Sequence, residues 1–599
     1  MLRSQFVPAL LLRPLVLLVT ALPALAQETP PRERFTTGPP DEVPRQPTLD
    51  DGHALDADDP WRPEFLLPDG LDIRANQVTS SAQNETSLAV NPFDALNWVG
   101  VANDYSTGTV QTGWYTTLDG GASWTTGVFA LHAGFSFSGD PAVCFDVNGN
   151  PVILCMMYFG PGGSKVTSFR STNKGITWNA GVNVDLDGAN DKPQVECDHS
   201  NGPGRGRITV AWDRFGTGSG DHIHVASSTD GGLTWTPQVR INDVTSTTTI
   251  APDITFGANS EIYVVWADRG GIKRAWVDRS LDGGTTWNTD VLAAPFTMVP
   301  SPIPGSSFRM FDIFSISADT TAGPHSGNVY MAYHTWTGSD AQIRLATSTD
   351  GGLSFPLNVL VNASDATNRD QVMPGIAVDP KGNVNVSFYD RRLDPLDQLL
   401  WTWVGRSSDG GATFVNHRVS DVGWNHLPTE FASFIGDYQD IDADGRYVYP
   451  FWCDGRSGSQ DVYVDRVNLD LHTNVPSISA GAGGSASFTI NVGPNHAGML
   501  YTLAASASGT APGTLFGGVQ IPLNADIWTT RSINLANTAF FTNNQGLLDA
   551  TGSATASFNT VGPRPFLAGL TLDWVVLVQD PGTFQPLYAT APTRLTFTP

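Results

Sequence analysis

The sequence predicts an all-β protein, a β-propeller of seven blades (six being the alternative) followed by a C-terminal β-sandwich module. Three observations predict it. The chain is rich in turn formers and large aromatics, with 61 Gly, 41 Pro and 17 Trp among 599 residues and only 15% charged, a balance that favours strands and turns over helices. One eight-residue pattern recurs six times. That pattern then stops, and the composition shifts, near residue 474.

The octet reads Ser/Thr-x-Asp/Asn-x-Gly-x-Ser/Thr-aromatic. It spans 117–124, 171–178 (with Asn173 for Asp), 228–235, 280–287, 348–355 and 407–414. Its acidic position falls at 119, 173, 230, 282, 350 and 409, intervals of 52 to 68 residues, and a period of that size marks a propeller or solenoid. The chemistry is that of a turn. A short Asp side chain accepts backbone N–H bonds, and Gly supplies a positive φ. The closing Trp or Phe is expected to bury itself between sheets. These Asp residues are therefore read as fold staples.

Three strands repeat around each octet. An opening strand such as Asp140–Asp146 is followed by a turn, Asp379–Asn383 or Asp442–Gly445. A second strand then alternates apolar residues, as in Ile262, Val264 and Trp266, or Val384, Val386 and Phe388. Opening strands fall near residues 85, 141, 193, 252, 312, 374 and 437, one more than the octets. The last repeat, Tyr447 to Val467, has no octet and no fourth strand. Ile73–Thr79 resembles Val239–Thr245, a fourth strand inside the array. The N-terminal segment is thus expected to complete blade seven and leave no open edge, giving a propeller over 71–473.

The flanks read differently. Residues 1–26 carry Arg3 and Arg13, an apolar run through Leu15–Val19 and a small-x-small site at Ala24–Ala26, the pattern of a signal peptide cleaved before Gln27. Residues 27–70 are Pro- and acid-rich without apolar periodicity, as expected of a disordered leader. Segments such as Ser487–Val492 and Leu570–Val576 suggest the sandwich over 474–599. No later stretch has the roughly 20 apolar residues of a membrane span. A secreted protein is expected, extracellular, periplasmic or at the cell surface.

A net charge of -25 argues against nucleic acid as a partner and against broad adhesion to anionic polymers, while leaving room for a local basic pocket. A monomer is expected. Cys144 and Cys155 flank a turn and suit a hairpin disulfide, but the four cysteines allow three pairings, and buried thiols are the equal alternative. No spacing suggests zinc.

The octets resemble those of the sialidase superfamily, the BNR or Asp-box repeat propellers, over residues 71 to about 468. The resemblance implies a functional face opposite the octets, formed by the starts of opening strands and the ends of second strands. The starts lie near Glu85, Asp140, Asp191-Lys192, Asp312, Arg369-Asp370-Gln371 and Asp437-Tyr438. The ends carry Asp213-Arg214, Asp268-Arg269, His334-Thr335-Trp336, Asp390-Arg391-Arg392 and Asp454-Gly455-Arg456. Carboxylates serve as acid, base or nucleophile on glycans, and Arg forks hold hydroxyls or carboxylates. The catalytic candidates are Asp390, Asp437 and Asp454. The substrate-binding candidates are Arg214, Arg269, Trp336, Arg391, Arg392, Tyr438 and Arg456, with Tyr105 a further stacking surface. The family's Phe/Tyr-Arg-Ile-Pro motif is missing, and Ser87–Pro92 occupies that opening strand. Glycan recognition and a glycan-processing activity other than sialic acid cleavage, glycoside hydrolase-like or lyase, are therefore expected, with a non-catalytic carbohydrate- or protein-binding propeller as the alternative.

Asp440-Ile441-Asp442-Ala443-Asp444-Gly445 resembles half a calcium loop, but Phe451 stands where a bidentate Glu would close it. Turn chemistry is the expectation there, a structural calcium near Asp440, Asp442 and Asp444 the alternative, and no other cofactor is expected.

Overall fold

The computed structural model describes residues 72–599 except 161–162, 186–187, 218–219, 244–247, 363–367, 474, 476, 494–495 and 511. The signal-peptide and leader expectations lie outside the described residues.

Seven four-stranded antiparallel sheets follow one another along the chain. Their innermost strands are Gln83–Val90, Phe137–Phe145, Ala189–Cys197, Thr249–Phe256, Ser315–Ala318, Gln371–Val378 and Asp440–Ala443, here blades 1 to 7. Each innermost strand contacts the next, and Asp440–Ala443 returns to Gln83–Val90, so the sheets close a ring. Blade 7 takes its outermost strand, Ile73–Arg74, from the other end of the propeller segment, with Ile73 opposite Val464 and Arg74 opposite Tyr463. Asn76 locks this seam. Its side chain donates to Asp461 Oδ1 at 2.7 Å and Gln83 Oε1 at 2.8 Å, and accepts the Val462 amide at 3.0 Å. Closure leaves no unpaired sheet edge at the junction.

The octets fold as tight turns between third and fourth strands. Asp119 accepts the Ser123 amide at 2.8 Å and its hydroxyl at 2.6 Å, while the Thr117 hydroxyl accepts the Gly121 amide at 2.9 Å. The same bonds recur at Asp230, Asp350 and Asp409. Gly121 needs its glycine, with φ at 91°. Trp98 and Tyr449 then pack edge-on, at 5.0 Å, between blades 1 and 7.

A second repeated device lies in the innermost strands. Glu85, Asp140, Lys192, Ala251 and Met373 all have positive φ, between 47° and 56°. The pairing to the second strand slips at each of these points. Each is a β-bulge that re-aims a side chain. Proline follows four of them (Pro141, Pro193, Pro252 and Pro374), where a ladder N–H has no partner to lose.

The second module packs two sheets over Phe488, Phe541, Phe558, Trp574 and Phe597. Its first strand is Leu471–Thr473. Asp470 fastens it to blade 6, accepting from Arg406 at 2.8 Å, from Lys381 at 2.6 Å and from the Tyr588 hydroxyl. All four cysteines are buried free thiols. Cys144 faces Val152 and Cys155 faces Thr167, so the hairpin register keeps them apart and the buried-thiol alternative describes them.

Candidate active site

The bulges carry Glu85, Asp140 and Lys192 from blades 1, 2 and 3 to one place. Lys192 Nζ lies 2.9 Å from Asp437 Oδ2, 3.8 Å from Glu85 Oε1 and 4.0 Å from Asp140 Oδ2. Three carboxylates from three blades thus surround one ammonium nitrogen. Asn103 sets two of them. Its Nδ2 donates to Glu85 Oε2 at 2.7 Å, and its Oδ1 accepts the Asp140 amide at 2.9 Å. The Tyr158 hydroxyl donates to Asp140 Oδ2 at 3.3 Å.

Arg309 covers the cluster. It belongs to the segment between Val291–Pro295 and Ser315–Ala318. Its guanidinium forms a two-point pair with Asp437, Nε to Oδ1 at 2.8 Å and Nη2 to Oδ2, and lies over the Phe434 ring at 4.5 Å. Glu85, Lys192 and Asp437 are at most 4% exposed, whereas the Arg309 side chain is 50% exposed. Arg309 and half-buried Asp191 therefore mark the solvent side. Tyr105 borders it against Phe431, ring centres 4.7 Å apart.

The electrostatics split the acids. Burial, reinforced by the Asp140 charge, pushes Glu85 well above the usual carboxylate range. Burial works the same way on Asp140, but Lys192 overcomes it, and hydrogen bonds from Glu85 and Asp191 help hold Asp140 well below that range. Burial raises Asp191 to about 7, with Lys192 opposing and Asp140 assisting. Asp437 stays low despite burial because Lys192 and Arg309 pair with it. Burial thus favours the protonated form at Glu85, while Lys192 favours the ionised form at Asp140.

Of the residues expected from sequence, Asp437 and Tyr438 enter this cluster. The Tyr438 hydroxyl donates to Pro141 O at 3.3 Å, and its ring lies 6.0 Å from Lys192 Nζ. Asp390 lies elsewhere, accepting the Arg392 amide and Nε, both at 2.7 Å, with Arg392 over the Trp403 ring at 4.3 Å. Asp454 accepts the Arg456 amide at 2.9 Å and its Nη2 at 2.6 Å, while Arg456 also pairs with Asp72. Arg391 is buried against Asp370 at 3.4 Å. Arg269 pairs with Asp312 at 3.3 Å and stacks on Phe311, the ring that Lys192 and Arg309 also approach. Trp336 is half-buried, its amide bonded to Thr297 O. Arg214 stands apart on blade 3.

Asp440 accepts the Ser87 hydroxyl at 2.9 Å and the Leu88 amide at 3.0 Å, Asp442 accepts the Val90 amide at 2.7 Å, and Asp444 takes the Arg446 and Tyr447 amides. These are inter-blade and turn bonds. Among the described residues no three His, Cys, Asp or Glu side chains are grouped as a metal ion requires. Below the cluster the channel widens to a cavity of about 390 Å³ lined by Glu196, Asp253, Asp440 and Asp442.

Glu85, Asp140 and Lys192 open strands but carry no adjacent arginine, so sequence reasoning listed them without choosing them. The repeated X-Pro step after the bulge was the available signal.

No protein-family model matches the chain, and no curated protein does. Among solved structures, a protein of unknown function from Dyadobacter fermentans is similar at 16% identity and a TM-score of 0.39, over 67% of this chain and 98% of that one. The intramolecular trans-sialidase from Ruminococcus gnavus is similar at 12% and 0.39, over 58% and 96%. A GH93 α-L-arabinofuranosidase of Fusarium graminearum is similar at 10% and 0.39, over 67% and 98%. The fold of this chain rests on its own closed ring of sheets: it is a β-propeller with a carboxylate-lined axis.

Proposed function

We propose that this chain is an exported, monomeric glycan-processing protein that cleaves glycosidic bonds at the upper mouth of its propeller. Glu85 acts as the proton donor to the leaving oxygen. Asp140, ionised and oriented by Asn103, serves as its partner, and Asp191 is poised near neutrality. One observation carries this reading: two carboxyls of neighbouring blades, mounted on the same kind of bulge, both lie within 4.0 Å of Lys192 Nζ beneath a half-exposed lip, where burial and that lysine push them in opposite directions. Paired carboxyls of unequal acidity are the working parts of glycoside hydrolysis. The axial cations Lys192 and Arg309 are both committed to Asp437, so a sialate carboxylate is not the substrate proposed. The N-terminal apolar run and small-x-small site support export.

The pairing of Asp390 with Arg392 and of Asp454 with Arg456 favours a second reading, a propeller that binds glycans without cutting them. A panel of fluorogenic and polysaccharide substrates, run on the mature protein beside Glu85→Gln and Asp140→Asn, separates the two. Cleavage lost in both variants supports hydrolysis. Glycan binding on an array with no turnover by the parent protein supports the binding reading.

A further inference from the structure

Away from the axis, blade 3 gathers basic side chains on the face turned toward blade 2. In its register His224 stands opposite Trp212 on one side and Arg240 on the other, while His222 stands opposite Arg214. Strand alternation puts all five on one face. The Trp212 ring stacks on His224 at 5.8 Å, 25° from parallel, and its Nε1 donates to Asn190 at 3.1 Å.

The two arginines of this group lack an acidic partner among the described residues. Arg269, Arg309, Arg391, Arg392 and Arg456 each pair with an aspartate. Among the described residues no carboxylate lies within 4.0 Å of the Arg214 or Arg240 guanidinium. Arg240 Nε finds only the neutral oxygens of Asn242, at 3.2 and 3.3 Å. Both ring nitrogens of His224, and Arg214 Nε, are buried without a hydrogen-bond partner. Burial, then the charge of Arg214, pushes His224 down to about 4. Arg214 lies against Gly188, where a Cβ would come within 2.4 Å of its Nε, so the seat depends on the missing side chain. Arg240 is exposed and Arg214 half-buried, which leaves the guanidiniums reachable. On a chain of net charge -25, such a cluster invites an anion rather than a metal.

We infer that this face of blade 3 is an anion-binding site that takes a sulfate ester or carboxylate group of an acidic oligosaccharide. The two guanidiniums supply forked donors to the oxyanion, His224 supplies a further nitrogen, and Trp212 supplies an apolar wall. The inference stands independently of cleavage at the axis.

Calorimetric titration of the full chain with a dextran sulfate oligosaccharide, an oligogalacturonate and an uncharged dextran of matched length tests it. Binding of either charged probe, weakened about tenfold or more by Arg214→Ala with Arg240→Ala and by 0.5 M salt, is expected, and the better charged probe names the group. Glu85→Gln should bind them unchanged. Arg240→Gln, at an exposed position, gives a second variant if the double one does not fold. Nitrogen-labelled histidine spectra should show His224 regaining proton affinity when the probe is bound. Equal affinity for charged and uncharged probes, or undiminished binding in Arg240→Gln and the double variant, overturns the site.

Discussion

Glu85 and Asp140 occupy the same left-handed bulge of adjacent blades, with φ of 56° and 50°, and both carboxylates approach Lys192 Nζ, at 3.8 and 4.0 Å. Sequence distance separates them by most of a blade, but the bulge turns both toward Lys192. If they work as donor and ionised partner, Glu85→Gln should lower kcat by about 10²- to 10⁴-fold. In the parent, activity should extend into the neutral range, because the donor is held protonated by burial. The pH profile of kcat/KM checks both, and an unchanged alkaline limb in Glu85→Gln would reassign the donor.

Stability should be greatest in mild acid. Burial raises Glu196 to about 8 and Asp442 to about 7. A carboxyl raised on folding stabilises fully below its unfolded value, near 4, and that contribution fades as pH climbs through the folded one. The loss is about 1.4 kcal/mol for each pH unit between the two values. Asp470, held at about 2 in spite of burial by Arg406 and Lys381, acts in the opposite sense and is lost only in strong acid. Thermal unfolding followed from pH 3 to 9 should give a Tm maximum near pH 4–5, and Glu196→Gln should flatten the decline above it.

Asn76→Ala should open the seam. The side chain is 3% exposed and holds blade 7 to the N-terminal strand. Leaving the Val462 amide and Asp461 unsatisfied costs about 1–3 kcal/mol each, readable as a lower midpoint in urea. Faster amide exchange should appear first in Asp461–Val464.

Asp409→Ala should cost about 1–2 kcal/mol, the price of a lost turn, and leave glycan binding and turnover intact. Its carboxylate serves the Thr413 amide and hydroxyl alone with Ser407 and Ala412. A large fall in kcat with unchanged stability would contradict the staple role.

Asp470→Ala should uncouple the sandwich. Arg406 is 4% exposed there and would keep only the longer pair with Asp379, at 3.9 Å, so the loss costs up to about 3–5 kcal/mol. Calorimetry should then resolve two transitions in place of one.

The repeat was legible because turn chemistry is local: Asp409 and Gly411 dictate their hydrogen bonds within eight residues. The ring-closing strand was legible because Ile73–Arg74 does the same job as Val239–Arg240, outermost in its sheet, and keeps a similar sequence. The axial cluster was harder to read. Its members are joined by bulges whose positive φ falls on Glu, Asp and Lys rather than on glycine, so no glycine announces the turn, and the proline that follows Asp140 and Lys192 is replaced by Thr86 after Glu85. Arg309 comes from an irregular segment, residues 296–314, that lies outside the strand repeat. The Asp-Arg adjacency at 390–392 and 454–456 speaks equally for a local ion pair, and that is the contact those side chains make.

Blade 7 is sewn from both ends of the propeller segment, so the chain enters and leaves the ring through a single wedge. The sandwich follows directly on that wedge and is fastened to blade 6 beside it through Asp470. A pull on the sandwich therefore loads blades 6 and 7 first and spares the Glu85–Asp140 side until the Asn76 seam gives way.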